Sequence, residues 1–200
     1  MEHSSLNLFG IDFSFDNEGL TWFGDQTNNE VWKFNASTYL RCFPWVTNQA
    51  DYTGIIKIYL ERFDQQLRPA ESQEEALKFF LDHSEDILKS ILSALLEEYE
   101  AIYECLELKD DDSEPKPIDV KEDVSLVSDR IFLSSIAIHE NSRKGVSYTT
   151  LYFQCPWDVE HGLEIVMYQA RVVSTGGAWE AIEDDIKRGP VRHYFGEDSW

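Results

Sequence analysis

Positive charge is in short supply in this sequence. Across 200 residues, 17 Lys and Arg stand against 38 Asp and Glu, a formal net of −21. A field of that sign repels phosphate backbones and anionic bilayers, which argues against nucleic-acid binding and membrane docking. Cysteine is scarcer still. Cys42, Cys105 and Cys155 are three, widely spaced, with no C-x-x-C pair. Neither a thiolate zinc site nor a disulfide framework fits that count, and reduced, buried thiols are expected. Long apolar runs are also missing: those present are broken by charges such as Lys89, far short of a membrane span. Met1 to Ser5 shows no basic region leading into an apolar stretch, so no secretory signal is expected and the compartment read from the sequence is cytoplasmic. No G-x-S-x-G elbow, phosphate-cradling glycine loop, G-x-G-x-x-G or H-E-x-x-H motif occurs. His3, His83 and His193 lie far apart in sequence and suggest surface or helix-end residues rather than ligands.

Aromatic residues, by contrast, are plentiful, with six Trp, nine Tyr and twelve Phe. A disordered acidic chain is poor in them, so most of this one folds. Its length suits one domain over residues 1–200 with a core of its own.

The first third reads as β-structure, over about residues 6–34. Ile11 to Phe15 alternates apolar and polar, Asp16-Asn17-Glu18-Gly19 has turn chemistry, and Leu20 to Phe23 continues as a strand. A further strand is expected at Val31 to Phe34. Ile55 to Leu60 fits either a strand or a short helix, since brief apolar runs do not separate the two. The middle, about 72–107, is helical. Ser72 with Glu75 matches a capping box, and Ala76, Leu77, Phe80 and Leu81 make one face. A second helix from about Ser84 to Leu106 repeats Leu88, Ile91, Leu92, Leu95 and Tyr99 at helical spacing. Asp119 to Val127 suggests a short helix. The last third, about 130–175, returns to strands: Arg130 to Ile138, Ser147 to Cys155, and a hairpin of Leu163 to Tyr168 with Arg171 to Thr175. Trp179 to Ile186 fits a terminal helix. The expected fold is therefore α+β, a mainly antiparallel sheet packed against a helical hairpin.

One segment is dense in chemistry. Cys155-Pro156-Trp157-Asp158-Val159-Glu160-His161-Gly162-Leu163 packs an aromatic, two carboxylates and an imidazole ahead of a glycine. It resembles a bacterial domain-of-unknown-function family with a W-D-x-E-H-G-L-G signature. Arg68-Pro69, Gln73 to Leu81, Tyr99 and Tyr103 also resemble that family, so the likeness spans roughly residues 68–177. The last Gly of the signature is Glu164 here. The resemblance implies a toxin-immunity-type protein, and it carries over no catalytic residue.

From the residues themselves, Asp158, Glu160 and His161 could serve a divalent metal or acid–base chemistry, giving a small metal-assisted hydrolase as one alternative. Strand alternation argues against it, placing Asp158 and Glu160 on one side and His161 on the other. The structural alternative is a self-bonded loop in which Trp157 plugs the core, Asp158 and Glu160 accept backbone N–H groups, and Gly162 supplies the turn. No cofactor or metal is expected.

The remaining signal is acidic. Residues 97–123 hold twelve Asp or Glu and three Lys. Such a run is either a solvated face or a docking surface for a basic partner, with Glu97, Glu100, Glu104, Glu107, Asp110, Asp111 and Asp112 as its candidates. The leading expectation is an acidic binding protein, of the immunity type, that masks a cognate basic toxin. A housekeeping interaction module is the other alternative.

Overall fold

A computed structural model describes residues 5–16, 21–27, 31–32, 39, 54–61, 68–105, 125–156 and 158–188. Its centre is an eight-stranded sheet whose spatial order follows the chain. The strands are β1 (Ser5–Leu8), β2 (Ile11–Asp16), β3 (Thr21–Thr27), β4 (Ile55–Glu61), β5 (Phe132–Arg143), β6 (Val146–Cys155), β7 (Asp158–Tyr168) and β8 (Arg171–Ser174). All neighbours are antiparallel except β4 and β5, which pair in parallel with Leu60 opposite Ile138. A parallel pair cannot be closed by a tight turn, and the described residues of the connection between these strands include three helices. They are α1 (Glu71–Asp82), α2 (Ser84–Cys105) and α3 (Ser125–Ser128); α4 (Ala178–Arg188) follows β8.

Alternation sorts the sheet into two faces. Ile56, Ile58 and Leu60 of β4 join Phe13, Trp22, Ile136, Ile138, Leu151 and Ile165 in the main core, on the front face under α1 and α2. The back face at the β6–β8 end has a smaller core, in which Tyr148, Val166 and Val173 meet Ala178, Ala181 and Ile182 of α4. Helices therefore cover both faces at that end of the sheet.

The expected helical hairpin is not formed. One residue, His83, separates α1 from α2, at φ −123° and ψ 27°. His83 N–H still bonds to Phe79 O at 2.9 Å, and Ile87 N–H bonds to His83 O at 3.0 Å. A single bent residue inside a nearly continuous hydrogen-bond ladder cannot reverse the chain, whereas a helical hairpin needs a loop of about two to five residues. Each helix instead makes its main contacts with the sheet, α1 on β5 and β6, α2 on β8. Two smaller expectations also change. Of the strand expected at Val31 to Phe34, Val31 and Trp32 form a bend, with Trp32 buried and stacked on Phe80 at 5.7 Å, while Lys33 and Phe34 lie outside the described residues. The N-cap of α1 is Ala70, not Ser72, and Gln73 takes the reaching-back role of the capping box by accepting from Ala70 N–H at 3.0 Å.

Gln73 also fixes where α1 lands. Its buried Nε2 donates to Glu61 O at 2.6 Å and Ile138 O at 3.0 Å, tying the helix start to both parallel strands. Gln73→Ala would leave two buried carbonyls without that donor, each worth about 1–3 kcal/mol when unsatisfied. Chemical denaturation should show a loss of about 2–4 kcal/mol, while the neighbouring Glu74 or Glu75 replaced by Ala should stay within about 0.5 kcal/mol.

Candidate functional site

The carboxyl ends of the parallel strands place Glu61 beside His139 on the back face. His139 Nδ1 lies 2.6 Å from Glu61 Oε2, and its Nε2 lies 2.6 Å from Thr150 Oγ1 on β6. Trp179 of α4 meets the imidazole edge-on, with ring centroids 5.8 Å apart. Carboxylate, imidazole and hydroxyl stand in the order used to activate a nucleophile. Burial decides against that use: His139 is 1 % exposed and Thr150 0 %, so the hydroxyl has no route to a substrate. Both ring nitrogens are committed to protein partners, as a satisfied core histidine requires.

Glu164 stands next to this relay, directly across from Tyr152 in the β6–β7 register. Its Oε1 accepts from Ala178 N–H at 3.1 Å, so it caps the first residue of α4. Burial raises the Glu164 pKa, and the Glu180 and Glu61 carboxylates add to the rise against the opposing effects of the Ala178 N–H and His139. The same surroundings push the Tyr152 phenol up to about 12, through burial first and then the charges of Glu164 and Glu61.

A second polar cluster locks the other end of α4. Asp185 is fully buried, and its Oδ2 accepts from Tyr148 Oη at 2.7 Å, Arg171 Nη2 at 2.7 Å and Arg143 Nη1 at 3.3 Å. Burial pushes the Asp185 pKa up, but the bonds from Arg171 and Tyr148 and the two guanidinium charges outweigh it, and the net shift is downward. Burial likewise raises Tyr148 to about 12, reinforced by its bond to Asp185.

The Trp157–Gly162 segment lies where β6 turns into β7, and Trp157 is outside the described residues. Asp158 Oδ1 accepts His161 N–H at 2.9 Å and sits 3.2 Å from His161 Nδ1. Simple alternation would separate these two side chains. The register shift between Phe153 and Cys155, with Gly162 at φ +74°, brings them together. Glu160 is exposed, His161 is 81 % exposed at the side chain, and the buried Cys155 thiol faces Asp158 O at 3.7 Å. Among the described residues no group of three His, Cys, Asp or Glu side chains is arranged to hold a metal. Nor is any described helix long and apolar enough to cross a membrane. Between α1 and β6, a gap lined by Phe79, Phe80, Thr149, Leu151 and Met167 measures about 10 Å³, room for one water at most.

Glu97, Glu100 and Glu104 fall on the α2 backbone, though their side chains lie outside the described set; Glu107, Asp110, Asp111 and Asp112 lie wholly outside it. Earlier in the two helices the exposed side chains include Glu71, Glu75, Asp82, Glu85 and Asp86. The sequence reading missed the Glu61–His139–Thr150 relay, whose members are distant in the chain. It also missed Asp185, for which a signal existed: Ala178, Ala181, Ile182 and Asp185 share one helical face, and a carboxylate on an apolar stripe points to a buried ion pair.

The profile of a domain of unknown function, DUF6985, matches residues 22–182. The chain belongs to that family. No curated protein and no solved structure matches it. The DUF6985 match runs from β3 into α4, so it includes Glu61, His139, Thr150 and Glu164, while Asp185 lies just beyond its end.

Proposed function

We propose that this DUF6985 protein is an acidic binding protein that recognises a basic protein partner through the outward face of α1 and α2. The observation that carries the reading is the charge of those helices. From Glu71 to Cys105 they hold ten Asp or Glu and two Lys, while Ala76, Leu77, Phe80, Ile87, Ile91 and Leu95 are committed to the core. With the apolar stripe occupied by the sheet, the exposed carboxylates Glu71, Glu75, Asp82, Glu85 and Asp86 are left to the outward side. One of the two lysines, Lys78, is engaged by Asp82. A ridge of this sign on a chain of net −21 attracts cationic surfaces and speeds their encounter. The resemblance to immunity-type families makes a basic toxin the partner class we favour.

The test is association kinetics with a partner captured from the source cell. Glu71, Glu75, Glu85 and Asp86, all exposed, are each replaced by Lys. Exposed ion pairs contribute about 0–1 kcal/mol, so the melting temperature should barely move. The association rate should fall about tenfold or more at low ionic strength and lose most of its salt dependence. An unchanged rate with the parental salt slope would show that the ridge is only solvated.

A further inference from the structure

We propose that the back face of β2, β3 and β4 is a second docking surface, fitted to a basic amphipathic segment of a protein partner. It deepens the reading of a basic protein partner and rests on it, but uses a different face of the molecule. On this face Phe23 of β3 is 44 % exposed and Ile55 of β4 is 40 % exposed. Phe23 stands directly across from Tyr59 in the β3–β4 register, and Ile55 lies further along the same face of β4. Both strands are interior to the sheet, each paired on both sides, so these side chains are not loose ends of an edge. The opposite sides of the same strands, at Trp22, Ile56, Ile58 and Leu60, are buried in the main core. Phe23, Ile55 and Tyr59 are thus apolar positions within an otherwise polar face, on strands whose other side is already buried.

Charge decides what covers it. Among the described residues, Asp12, Asp25 and Glu61 share the face with a single Lys57, which pairs in register with Asp25, and Glu61 Oε2 also lies 2.6 Å from His139 Nδ1. A second copy of the chain would bring the same carboxylates against these, within a net charge of −21 per molecule. Nucleic acid and anionic bilayers carry the wrong sign. An occupant that places apolar side chains on Phe23, Ile55 and Tyr59, and Lys or Arg on the surrounding carboxylates, satisfies both requirements. Aromatic anchors inside a polar rim are where binding energy concentrates in protein interfaces. Helices α1 and α2 lie on the opposite side of the sheet, so the two surfaces can be separated by mutation.

The experiment titrates the isotope-labelled full chain with a synthetic amphipathic lysine–leucine peptide, and with a counterpart in which glutamine replaces lysine. Amide shift changes should centre on Phe23, Asp25 and Ile55 to Tyr59. Phe23→Ser combined with Ile55→Thr should weaken binding about tenfold or more, and so should Asp12→Asn combined with Asp25→Asn, which leaves the apolar packing untouched. The glutamine peptide should bind about tenfold more weakly than the lysine one. Shift changes confined to α1 and α2 would overturn this proposal and leave the helix-face reading standing. Loss of response on both faces would sink both. Equal binding of the glutamine peptide would overturn the charge-based choice of partner. Concentration-dependent self-association abolished by the Phe23/Ile55 variant would assign the face to a second copy instead.

Discussion

Gly162→Ala should lower the stability of this protein by about 2–5 kcal/mol, and the reason lies in one backbone contact. Gly162 has φ +74°, and a Cβ at that position would lie 2.4 Å from Phe153 O. Two penalties combine. A left-handed conformation costs an L-residue about 1–2 kcal/mol, and forcing an atom into a packed site costs about 1–3 kcal/mol more. The carbonyl cannot step aside cheaply, because Phe153 pairs with Leu163 in the interior of the sheet. Gly145 supplies the control. It sits in the two-residue Lys144-Gly145 turn between β5 and β6 at φ +80°, and an alanine methyl there would meet nothing within 4 Å. Gly145→Ala should therefore show only the conformational part, about 1–2 kcal/mol. Thermal melts of the pair measure the difference, which isolates the close approach to Phe153. Equal losses would mean that the contact relaxes and that the segment carries no steric constraint.

The local elements were legible and their assembly was not. The strand at Ile11 to Phe15, the helix stripes after Ser72 and Ser84, and the β7–β8 hairpin around Gln169-Ala170 each follow from residues close in sequence. Ile55 to Leu60 could not be assigned from its own composition; paired with β3 and β5, it buries Ile56, Ile58 and Leu60 alternately as a strand. That parallel pairing spans the entire helical segment, and no local pattern announces it. The same separation hid the Glu61–His139 contact, which exists only because β4 and β5 run side by side. Trp32 shows the opposite error: an aromatic in a short β-prone run reads as a strand, yet it serves as a plug over Phe80 and Phe153. Glu164 was visible only as a departure from a resembled pattern. Its task as the cap of α4 depends on where that helix docks, which is a property of the tertiary fold.

Asp185→Ala should destabilise the protein by about 3–5 kcal/mol, the range for breaking a buried ion pair by removing one partner. The loss has unequal parts. Arg143 and Arg171 keep 26 % and 34 % of their side-chain surface exposed, so each can recover hydration when the carboxylate goes. Tyr148 cannot, being fully buried with its hydroxyl donated to Asp185. Partial rehydration of the arginines places the result nearer the lower bound, about 3 kcal/mol, which for a chain of this size is a melting-temperature drop of about 6–12 °C. The effect should depend on pH in a defined direction. The folded Asp185 carboxyl is more acidic than an unfolded one near about 3.9, so its contribution is complete above that value and fades as pH falls through the lower folded pKa. The gap between parent and Asp185→Ala should therefore narrow in acid. Glu164 runs the other way. Its pKa is raised in the fold, so its contribution is present below an unfolded value near about 4.3 and is lost as pH rises through the folded one. Glu164→Gln keeps an acceptor for Ala178 N–H without the charge, and should hold or raise stability at neutral pH. Unfolding curves for both variants across the acid range test the assignment. A gap for Asp185→Ala that stays constant into acid would show that the carboxylate is not what ties α4 to the sheet.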